Sequence, residues 1–312
     1  ELQRFGELEI LEHAEELSEE ERTHLIRGTD VLITSWGTIA VPKAVAKDPG
    51  RLRYICHLNG TVRESIPRVV VAKGIPVTNW GDAPANRLAE AAFALLIAIL
   101  KDIPGRVETV RAGGWRPEDT VYGGTLESLE VGIYGLGAVG RRFEEMMRPF
   151  RPVVRVYDPY VSSVPDTCRR VETLTELFEL SSAIVIHAAL SDETRGSVTA
   201  RHLALLPDHG IVINTARGAI VDQDALFAEI ESGRLRAGLD VLDPDRLAPH
   251  NPIRQRRNLI LTSHDLGKIR PLPGKPPELW KFHRYALDNL RRFAEGRELE
   301  HRVSLARYDR ST

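Results

Sequence analysis

Cysteine and long apolar runs are scarce in this sequence. Its 312 residues include only two cysteines, Cys56 and Cys168, and no C-x-x-C pair. A disulfide framework is therefore not expected, and the predicted location is a reducing compartment, the cytoplasm. The longest uninterrupted apolar run, 91–100, has about half of the ~20 residues that a membrane-spanning helix needs, so no membrane partner is expected.

An excess of charge of either sign is also missing. The 42 basic and 44 acidic residues leave a formal net charge of −2, so no electrostatic attraction to nucleic acid is predicted. The histidines show no metal-ligand spacing such as H-x-x-x-H, and no metal site is expected. The sequence begins without Met and without a signal-peptide pattern, so part of the natural amino terminus is expected to be missing. The predicted partner is a small molecule.

What the sequence does contain is enough apolar material for two compact α/β units. Apolar residues make up 42% and charged residues 28%, as in ordinary globular proteins. From Asp30 to about Trp80, β-rich segments alternate with the helix-like segments VPKAVAKD and VRESIPRVVVAKG, which is typical of parallel βαβ units. The stretch 86–103 is apolar nearly all round and predicts a helix buried between layers or domains.

A second alternating series predicts a doubly wound parallel sheet of six strands, mostly continuous apolar runs covered on both faces. The Pro- and Gly-rich stretch 265–280 predicts a loop, and an amphipathic helix predicted over 278–295 would return to the first domain. The strands are predicted in LEVGIYG, VVRVYD, SAIVIHAA, GIVINTA, RAGLDVL and NLILTSH. Helices are predicted to begin near Gly137, Thr173, Thr199 and Gln223.

The segment YGLGAVG, from Tyr134 to Gly140, spaces three glycines as G-x-G-x-x-G between a predicted strand and a predicted helix. There Gly135 can make the tight turn, Gly137 can let the backbone approach a pyrophosphate, and Gly140 can let helix and strand pack closely. The helix start offers free N–H groups to the phosphates. Asp158, after the next strand, can accept hydrogen bonds from the adenosine ribose hydroxyls, which favours NAD over NADP. The alternative is that Asp158 merely begins the turn DPY.

Polar side chains follow the last three predicted strands. In an open sheet of order 3-2-1-4-5-6, ligands bind at the carboxyl ends, with the nicotinamide half over strands 4 to 6. Neighbouring strands lie about 4.8 Å apart, so three adjacent ends span roughly 10 Å. The residues at these ends are Arg217 after the fourth strand, Asp240, Asp243 and Asp245 after the fifth, and His264 after the sixth.

This combination of side chains suits the reduction of a carbonyl. Arg217 can grip a substrate carboxylate and polarise the neighbouring carbonyl. His264 can give a proton to the developing alkoxide and take it back in the reverse direction. Taken singly, such an arginine is more often a surface ion-pair partner and such a histidine a structural residue. Their coincidence at neighbouring strand ends is what predicts catalysis.

Five segments give the sequence a resemblance to the D-isomer-specific 2-hydroxyacid dehydrogenases, which include phosphoglycerate dehydrogenases and glyoxylate or hydroxypyruvate reductases. The segments are GIPVTNWGDAPANRLAEAAFALLIAIL, LEVGIYGLGAVGRRF, IHAALSDETRGSVTARHLALLPDHGIVINTARGAIVDQDAL, GLDVLDPD and NLILTSH. The resemblance covers nearly the whole chain and implies two Rossmann- or flavodoxin-like doubly wound parallel-sheet domains, with NAD and substrate in the cleft between them. The substrate domain would be built from both chain ends, 1–101 and 275–312, and the NAD-binding domain would cover 102–274.

The resemblance also implies roles for single residues. Arg217 would bind the substrate carboxylate and carbonyl, and His264 would be the acid/base, assisted by Asp245. Asn59 and Gly60 fall where family members present backbone N–H groups to the carboxylate. Members of the family are usually homodimers joined through their nucleotide domains.

Asp240 would hold the nicotinamide carboxamide. The complete set of predicted cofactor-binding residues is Gly135, Gly137, Ala138, Val139, Gly140, Asp158, His187, Thr215, Ala216 and Asp240.

Two departures from the family pattern concern the site. The family usually has Glu where this chain has Asp245, which is one methylene shorter, so its hydrogen bond with His264 is expected to be longer or bridged by water. Asp243 competes for the same role. The loop NGTVRES, which carries Arg63, differs from the usual glycine-rich loop that helps to select the substrate.

The predicted function is an NAD-dependent oxidoreductase that transfers a hydride between nicotinamide and a small 2-oxo acid or D-2-hydroxy acid. One alternative is a non-catalytic, dimeric scaffold that senses NAD(H), similar to the C-terminal-binding-protein corepressors. Another is the reduction of glyoxylate or hydroxypyruvate with NADPH, against which Asp158 argues. The identity of the 2-hydroxy acid depends on loops whose shape the sequence leaves open.

Overall fold

The structure is a computed structural model that describes residues 2–115, 124–267 and 281–310. The helices are α1 Glu19–Arg27, α2 Arg68–Ala72, α3 Ala85–Leu100, α4 Ile103–Arg111, α5 Ala138–Met147, α6 Leu174–Glu179, α7 Ala200–Leu205, α8 Gln223–Glu231, α9 Lys281–Ala294 and α10 Leu305–Arg310. The strands are β1 Val31–Thr34, β2 Tyr54–His57, β3 Val77–Thr78, β4 Glu130–Tyr134, β5 Val153–Tyr157, β6 Cys168–Arg170, β7 Ala183–Ile186, β8 Ile211–Asn214, β9 Arg236–Leu239 and β10 Leu259–Leu261.

The chain folds into two compact units. The first comprises Glu1–Pro84 with Arg270–Thr312, and the second is Ala85–Ile269. The first boundary therefore lies before α3, whereas the predicted domains divide after residue 101. Most of the predicted loop 265–280, and the predicted boundary at residue 275, lie outside the described residues.

The first unit contains a parallel sheet of order β1-β2-β3. Successive side chains of a strand point to opposite faces, so Ile55 packs with the apolar residues of α1, α2 and α10, while Tyr54 and Cys56 pack against Ala286 and Leu290 of α9. Helices from the carboxyl end of the chain thus complete the core that the amino-terminal strands begin. This confirms that both chain ends build the domain.

Two helices predicted in the first unit are shorter than expected. The segment VPKAVAKD forms only a 3₁₀ turn, Lys43–Ala46. In VRESIPRVVVAKG the helix starts after Pro67, which is its N-cap. Proline restricts its own backbone and that of the preceding residue, so the helix cannot extend toward Val62.

The second unit contains a seven-stranded sheet of order β10-β9-β8-β7-β4-β5-β6, with every pairing parallel. The sequence pattern missed β6, because this strand is short and two of its three residues are exposed. In the predicted order 3-2-1-4-5-6, the segment that forms β7 was therefore strand 3, at the outer edge of the sheet. In the structure β7 lies in the middle of the sheet, beside β4. The predicted neighbourhood of β8, β9 and β10 is confirmed.

Helices cover both faces of this sheet. On one face Leu96 of α3 packs in the same core as Phe143 and Met147 of α5. On the other face the core includes Leu177 of α6, together with apolar residues of α7 and α8. The packing of α3 on α5, β8 and β9 explains why the long apolar helix belongs to the second unit.

The predicted helix starts are confirmed. Gly137 is the N-cap of α5, the Thr173 hydroxyl accepts from the Glu176 N–H at 3.0 Å, and Thr199 caps α7. Asp222 accepts from the Ala225 N–H at 3.1 Å at the start of α8. The polar side chains among these caps satisfy N–H groups that have no partner within the helix.

Both cysteines, Cys56 and Cys168, are buried free thiols. None of the helices in the described ranges is long and apolar enough to cross a membrane.

Candidate active site

The glycine loop turns sharply between β4 and α5. Gly135 has a φ of +95°, and a Cβ built there would lie 2.5 Å from the Ala188 nitrogen. A Cβ at Gly140 would lie 2.2 Å from the Gly135 carbonyl oxygen. Side chains are excluded at both positions, because the backbone of the loop, of α5 and of the segment after β7 approach each other closely.

The start of α5 is suited to an anion. Gly137 provides no side chain to cap the helix, and the first turn, which begins with Ala138 and Val139, contains no acidic residue. Apart from Gly137 itself and its chain neighbours, no described atom lies within 4 Å of a Cβ built at Gly137. A phosphate can therefore approach the backbone N–H groups and the positive end of the helix dipole.

Asp158 follows β5 and connects the strand end with the glycine loop. Its Oδ2 accepts from the Leu136 N–H at 2.8 Å, and its Oδ1 accepts from the Tyr160 N–H at 2.9 Å. Asp158 thus begins the turn DPY and also holds the glycine loop. Each carboxylate oxygen has a further lone pair, so the side chain can still accept hydrogen bonds from a ribose.

His187 and Thr215 follow β7 and β8, the strands at the centre of the sheet. The His187 ring lies 5.0 Å from the ring of Phe143, and its buried Nε2 has no hydrogen-bond partner among the described residues. Burial lowers the pKa of His187 to about 3, so the ring is neutral near pH 7. The buried Thr215 hydroxyl likewise has no partner in the described part of the chain.

The loop after β8 carries Arg217 and is braced from within. The buried Asn214 side chain accepts from the Ala216 N–H at 3.0 Å and donates to the Arg217 carbonyl at 2.9 Å. The Arg217 guanidinium donates to the Ala216 carbonyl at 2.7 Å. A Cβ at Gly218 would lie 2.1 Å from the Leu242 carbonyl carbon, so glycine lets this loop touch the segment after β9.

Asp240 is buried directly after β9 and organises the segment that follows β10. Its Oδ1 accepts from the Thr262 hydroxyl at 2.5 Å and from the Asp265 and Leu266 N–H groups at 3.2 and 3.3 Å. Its backbone carbonyl accepts from the His264 N–H at 2.8 Å. Asp240 therefore fixes the backbone on both sides of His264.

His264 lies against Asp245. His264 Nδ1 is 2.5 Å from Asp245 Oδ2, and the His264 backbone has a φ of 54°. The contact is direct, so the expectation of a longer or water-bridged hydrogen bond is wrong. The two residues follow neighbouring strands, whose close spacing compensates for the shorter side chain. The backbone of Asp243 instead bonds to the Gln223 side chain, at 2.8 and 3.0 Å.

Asn59 and Gly60 belong to the first unit, after β2. Asn59 Oδ1 accepts from the Ser35 hydroxyl and the Trp36 N–H, both at 2.8 Å, so this amide braces the loop after β1. The Gly60 carbonyl accepts from the Asn79 side chain at 2.7 Å. A Cβ at Gly60 would lie 2.4 Å from Trp80 Nε1, so the indole requires glycine there.

Three residues that support the site are not among the site residues predicted from the sequence. Asn214 braces the Arg217 loop, Thr262 holds the Asp240 carboxylate, and Gln223 anchors Asp243. A polar side chain directly after a buried strand, as in INTARG and LILTSH, is the signal that could have identified Asn214 and Thr262.

These features fit a dinucleotide. The open space at Gly137, the uncapped start of α5, the carboxylate of Asp158 and the partnerless hydroxyl of Thr215 all lie at the carboxyl ends of the strands or in the loops after them. Within 2–115, 124–267 and 281–310, no group of three or more His, Cys, Asp or Glu residues could hold a metal ion.

A known protein family matches most of the second unit. The family model described as D-isomer specific 2-hydroxyacid dehydrogenase, NAD binding domain, matches residues 93–265.

Curated relatives and solved structures are similar over most of the chain. D-3-phosphoglycerate dehydrogenase of Methanocaldococcus jannaschii is 29% identical over 267 residues, which cover 84% of this chain and 50% of that protein. Hydroxypyruvate reductase of Thermotoga maritima is 29% identical over 265 residues, covering 83% and 84%. A crystal structure of a Thermus thermophilus protein has a TM-score of 0.76 and 26% identity, covering 97% of this chain and 94% of that one. The chain thus spans about half the length of the phosphoglycerate dehydrogenase.

Proposed function

Because the chain belongs to the D-isomer specific 2-hydroxyacid dehydrogenase family, we propose that it is an NAD-dependent oxidoreductase that interconverts a 2-oxo acid and the corresponding D-2-hydroxy acid. When bound, the cofactor supplies or accepts the hydride at carbon 2 of the acid. The residues of the chain bind and orient the reactants and move the proton.

His264 is the proposed acid/base. Asp245 Oδ2 accepts the hydrogen bond from Nδ1, which orients the ring and leaves Nε2 to exchange the proton with the substrate oxygen. Asp240 holds the backbone around His264, and it is also the proposed partner of the nicotinamide carboxamide. The direct contact of His264 with Asp245, at the ends of neighbouring strands, is the observation that carries the proposal.

Arg217 is the proposed substrate-binding residue of the second unit. Its planar, permanently charged fork can hold the carboxylate and polarise the carbonyl of a 2-oxo acid. The donation from Nη1 to the Ala216 carbonyl keeps the side chain near its own loop. The backbone of Asn59 and Gly60 is the proposed contribution of the first unit to carboxylate binding.

A panel of 2-oxo acids with NADH tests the function. We expect NADH oxidation with at least one acid, and the D-2-hydroxy acid as product. Absence of turnover with every acid, despite tight NADH binding, would overturn the enzyme assignment and favour a scaffold that only senses NAD(H).

The carboxylate of Asp158 is expected to set the cofactor preference. In Asp158→Asn the charge is lost, and one amide oxygen must replace two carboxylate oxygens that accept from Leu136 and Tyr160. Hydrogen bonds to a charged group contribute about 1.5–3 kcal/mol, so we expect the KM for NADH to rise roughly 10- to 100-fold and the preference for NADH over NADPH to decrease. Steady-state kinetics with both cofactors measure this.

Asp166→Asn is the matched control, because Asp166 is an exposed aspartate in the same β5–β6 connection. It should leave both KM values unchanged. An unchanged preference in Asp158→Asn would contradict the proposed ribose contact.

A homodimer is the proposed assembly. Ile103, Val107 and Val110 are exposed along one face of α4 at a spacing of four and three residues, and an exposed apolar helix face of this kind suits a self-complementary interface. Light scattering should give the mass of a dimer, and Val107→Asp should shift it toward the monomer. Val69→Asp, at an exposed valine of α2, should leave the mass unchanged. A monomeric parent protein would contradict this assembly.

The cytoplasm is the proposed location, because buried thiols such as Cys56 and Cys168 stay reduced there.

A further inference from the structure

The carboxyl ends of β1, β2 and β3 meet at one edge of the parallel sheet of the first unit. Ligands of open parallel sheets bind at this edge. The segments that follow the three strands begin with Ser35, Leu58 and Asn79, and the proposed carboxylate-binding residues Asn59 and Gly60 lie in the middle one.

Two tryptophans frame this middle segment. The Trp80 indole contacts Gly60, and the Trp80 N–H donates to the Asn59 carbonyl at 3.2 Å. Trp36 lies edge-on to Trp80, with ring centroids 5.4 Å apart, and 63% of Trp36 is exposed. Asn59 Oδ1 accepts from the backbone N–H of Trp36 at 2.8 Å, which anchors the backbone that carries this exposed indole to the Asn59 segment.

The segments at these strand ends carry no charged side chain, and the carboxylate of Asp82, which follows them, accepts from the Tyr285 hydroxyl at 2.9 Å. The segments 34–42, 57–62 and 76–81 contain no Lys, Arg, Asp or Glu. The one histidine among them, His57, is neutral near pH 7, because burial lowers its pKa to about 4.

Arg63, which directly follows the segment 57–62, contacts the C-terminal helix α10. The guanidinium of Arg63 lies over the Tyr308 ring of α10, 5.9 Å from its centroid. This is a cation–π contact with the C-terminal helix. Among the described residues, the segments 34–42, 57–62 and 76–81 themselves offer a phosphorylated substrate side chain no basic Lys or Arg partner, whereas an apolar side chain would find an aromatic surface.

We propose that Trp36 and Trp80 bind the side chain of the substrate, and that the preferred substrates are 2-oxo acids with a bulky apolar or aromatic side chain, of the phenylpyruvate kind. This inference rests on the proposed function, in which Asn59 and Gly60 bind the carboxylate of the same molecule. The exposed Trp36 discriminates between side chains, because aromatic contact and burial of apolar area both grow with the size of the substrate.

Steady-state kinetics with NADH test this preference. We expect kcat/KM for phenylpyruvate and 4-methyl-2-oxopentanoate to exceed that for glyoxylate and 3-phosphohydroxypyruvate roughly 10-fold or more. In Trp36→Ala the ratio of kcat/KM for phenylpyruvate to that for glyoxylate should fall by about 5- to 10-fold, and Trp36→Phe should restore most of it. Thermal unfolding of each variant checks that the fold is intact.

Trp115→Ala is the matched control, because Trp115 is an exposed tryptophan of the second unit, and the ratio should not change. Higher activity on glyoxylate or 3-phosphohydroxypyruvate than on phenylpyruvate, or an unchanged ratio in Trp36→Ala, would overturn this inference alone. Absence of turnover with every acid would overturn the proposed function together with it.

Discussion

Replacement of His264 by Gln is expected to lower kcat and kcat/KM for the preferred 2-oxo acid by about 10²- to 10⁴-fold. Glutamine keeps a polar amide at this position but cannot release and recover a proton near neutral pH. The loss should appear in kcat, because the proton is transferred during the chemical step, while the KM for NADH should stay nearly constant. Stopped-flow or steady-state measurement of NADH oxidation gives both quantities.

The two aspartates of the DPD turn provide a paired control. Asp245 Oδ2 lies 2.5 Å from His264 Nδ1, whereas the backbone of Asp243 is bound to Gln223. Asp245→Asn should therefore lower kcat, Asp245→Glu should retain much of it, and Asp243→Asn should leave it within about 3-fold of the parent. Equal losses in the two Asn variants would contradict the assignment of Asp245 as the partner of His264.

The glycine loop and the order of the last three strands could be predicted because their signals are local or repetitive. Gly135 and Gly140 occupy positions that exclude a Cβ, so glycine at these positions indicates the close backbone approach directly. The apolar runs of β8 and β9 mark buried strands, and the rule that parallel strands place ligands at their carboxyl ends then selects Arg217 and His264.

The position of β7 could not be obtained in this way. It depends on whether another strand precedes it in the chain, and β6 has a polar sequence because two of its residues face solvent at the sheet edge. A pattern of apolar runs detects buried strands and misses exposed edge strands. The error displaced β7 but left the three candidate strand ends next to one another.

Side-chain contacts between loops could also not be predicted from the sequence. The choice between Asp243 and Asp245 depends on the path of the backbone after β9, where Leu242 donates its N–H to Asp245 Oδ1 at 3.3 Å. The bracing role of Thr262 depends on the distance between the segments that follow β9 and β10. Such distances arise from the packed fold and have no counterpart in residue spacing.

The second large expected effect concerns the replacement of Arg217. In Arg217→Ala the carboxylate and carbonyl of the substrate lose their charged, planar donor, and kcat/KM should fall by about 10²-fold or more, with a rise in the KM for the 2-oxo acid. The KM for NADH should change little, because no proposed cofactor contact is removed. Arg217→Lys should recover only part of the loss, since a single ammonium cannot reproduce two parallel hydrogen bonds.

Arg246→Ala separates this specific role from a general loss of positive charge. Arg246 is exposed and directly follows Asp245, so its removal changes the net charge at the same sheet edge by the same amount. The screened attraction of an exposed cation is weak, and kcat/KM should remain within about 3-fold of the parent. Added guanidinium chloride should raise the activity of Arg217→Ala and leave that of Arg246→Ala unchanged. Near-normal turnover in both Arg217→Ala and His264→Gln would mean that neither strand end takes part in the reaction, and the proposed mechanism would have to be abandoned.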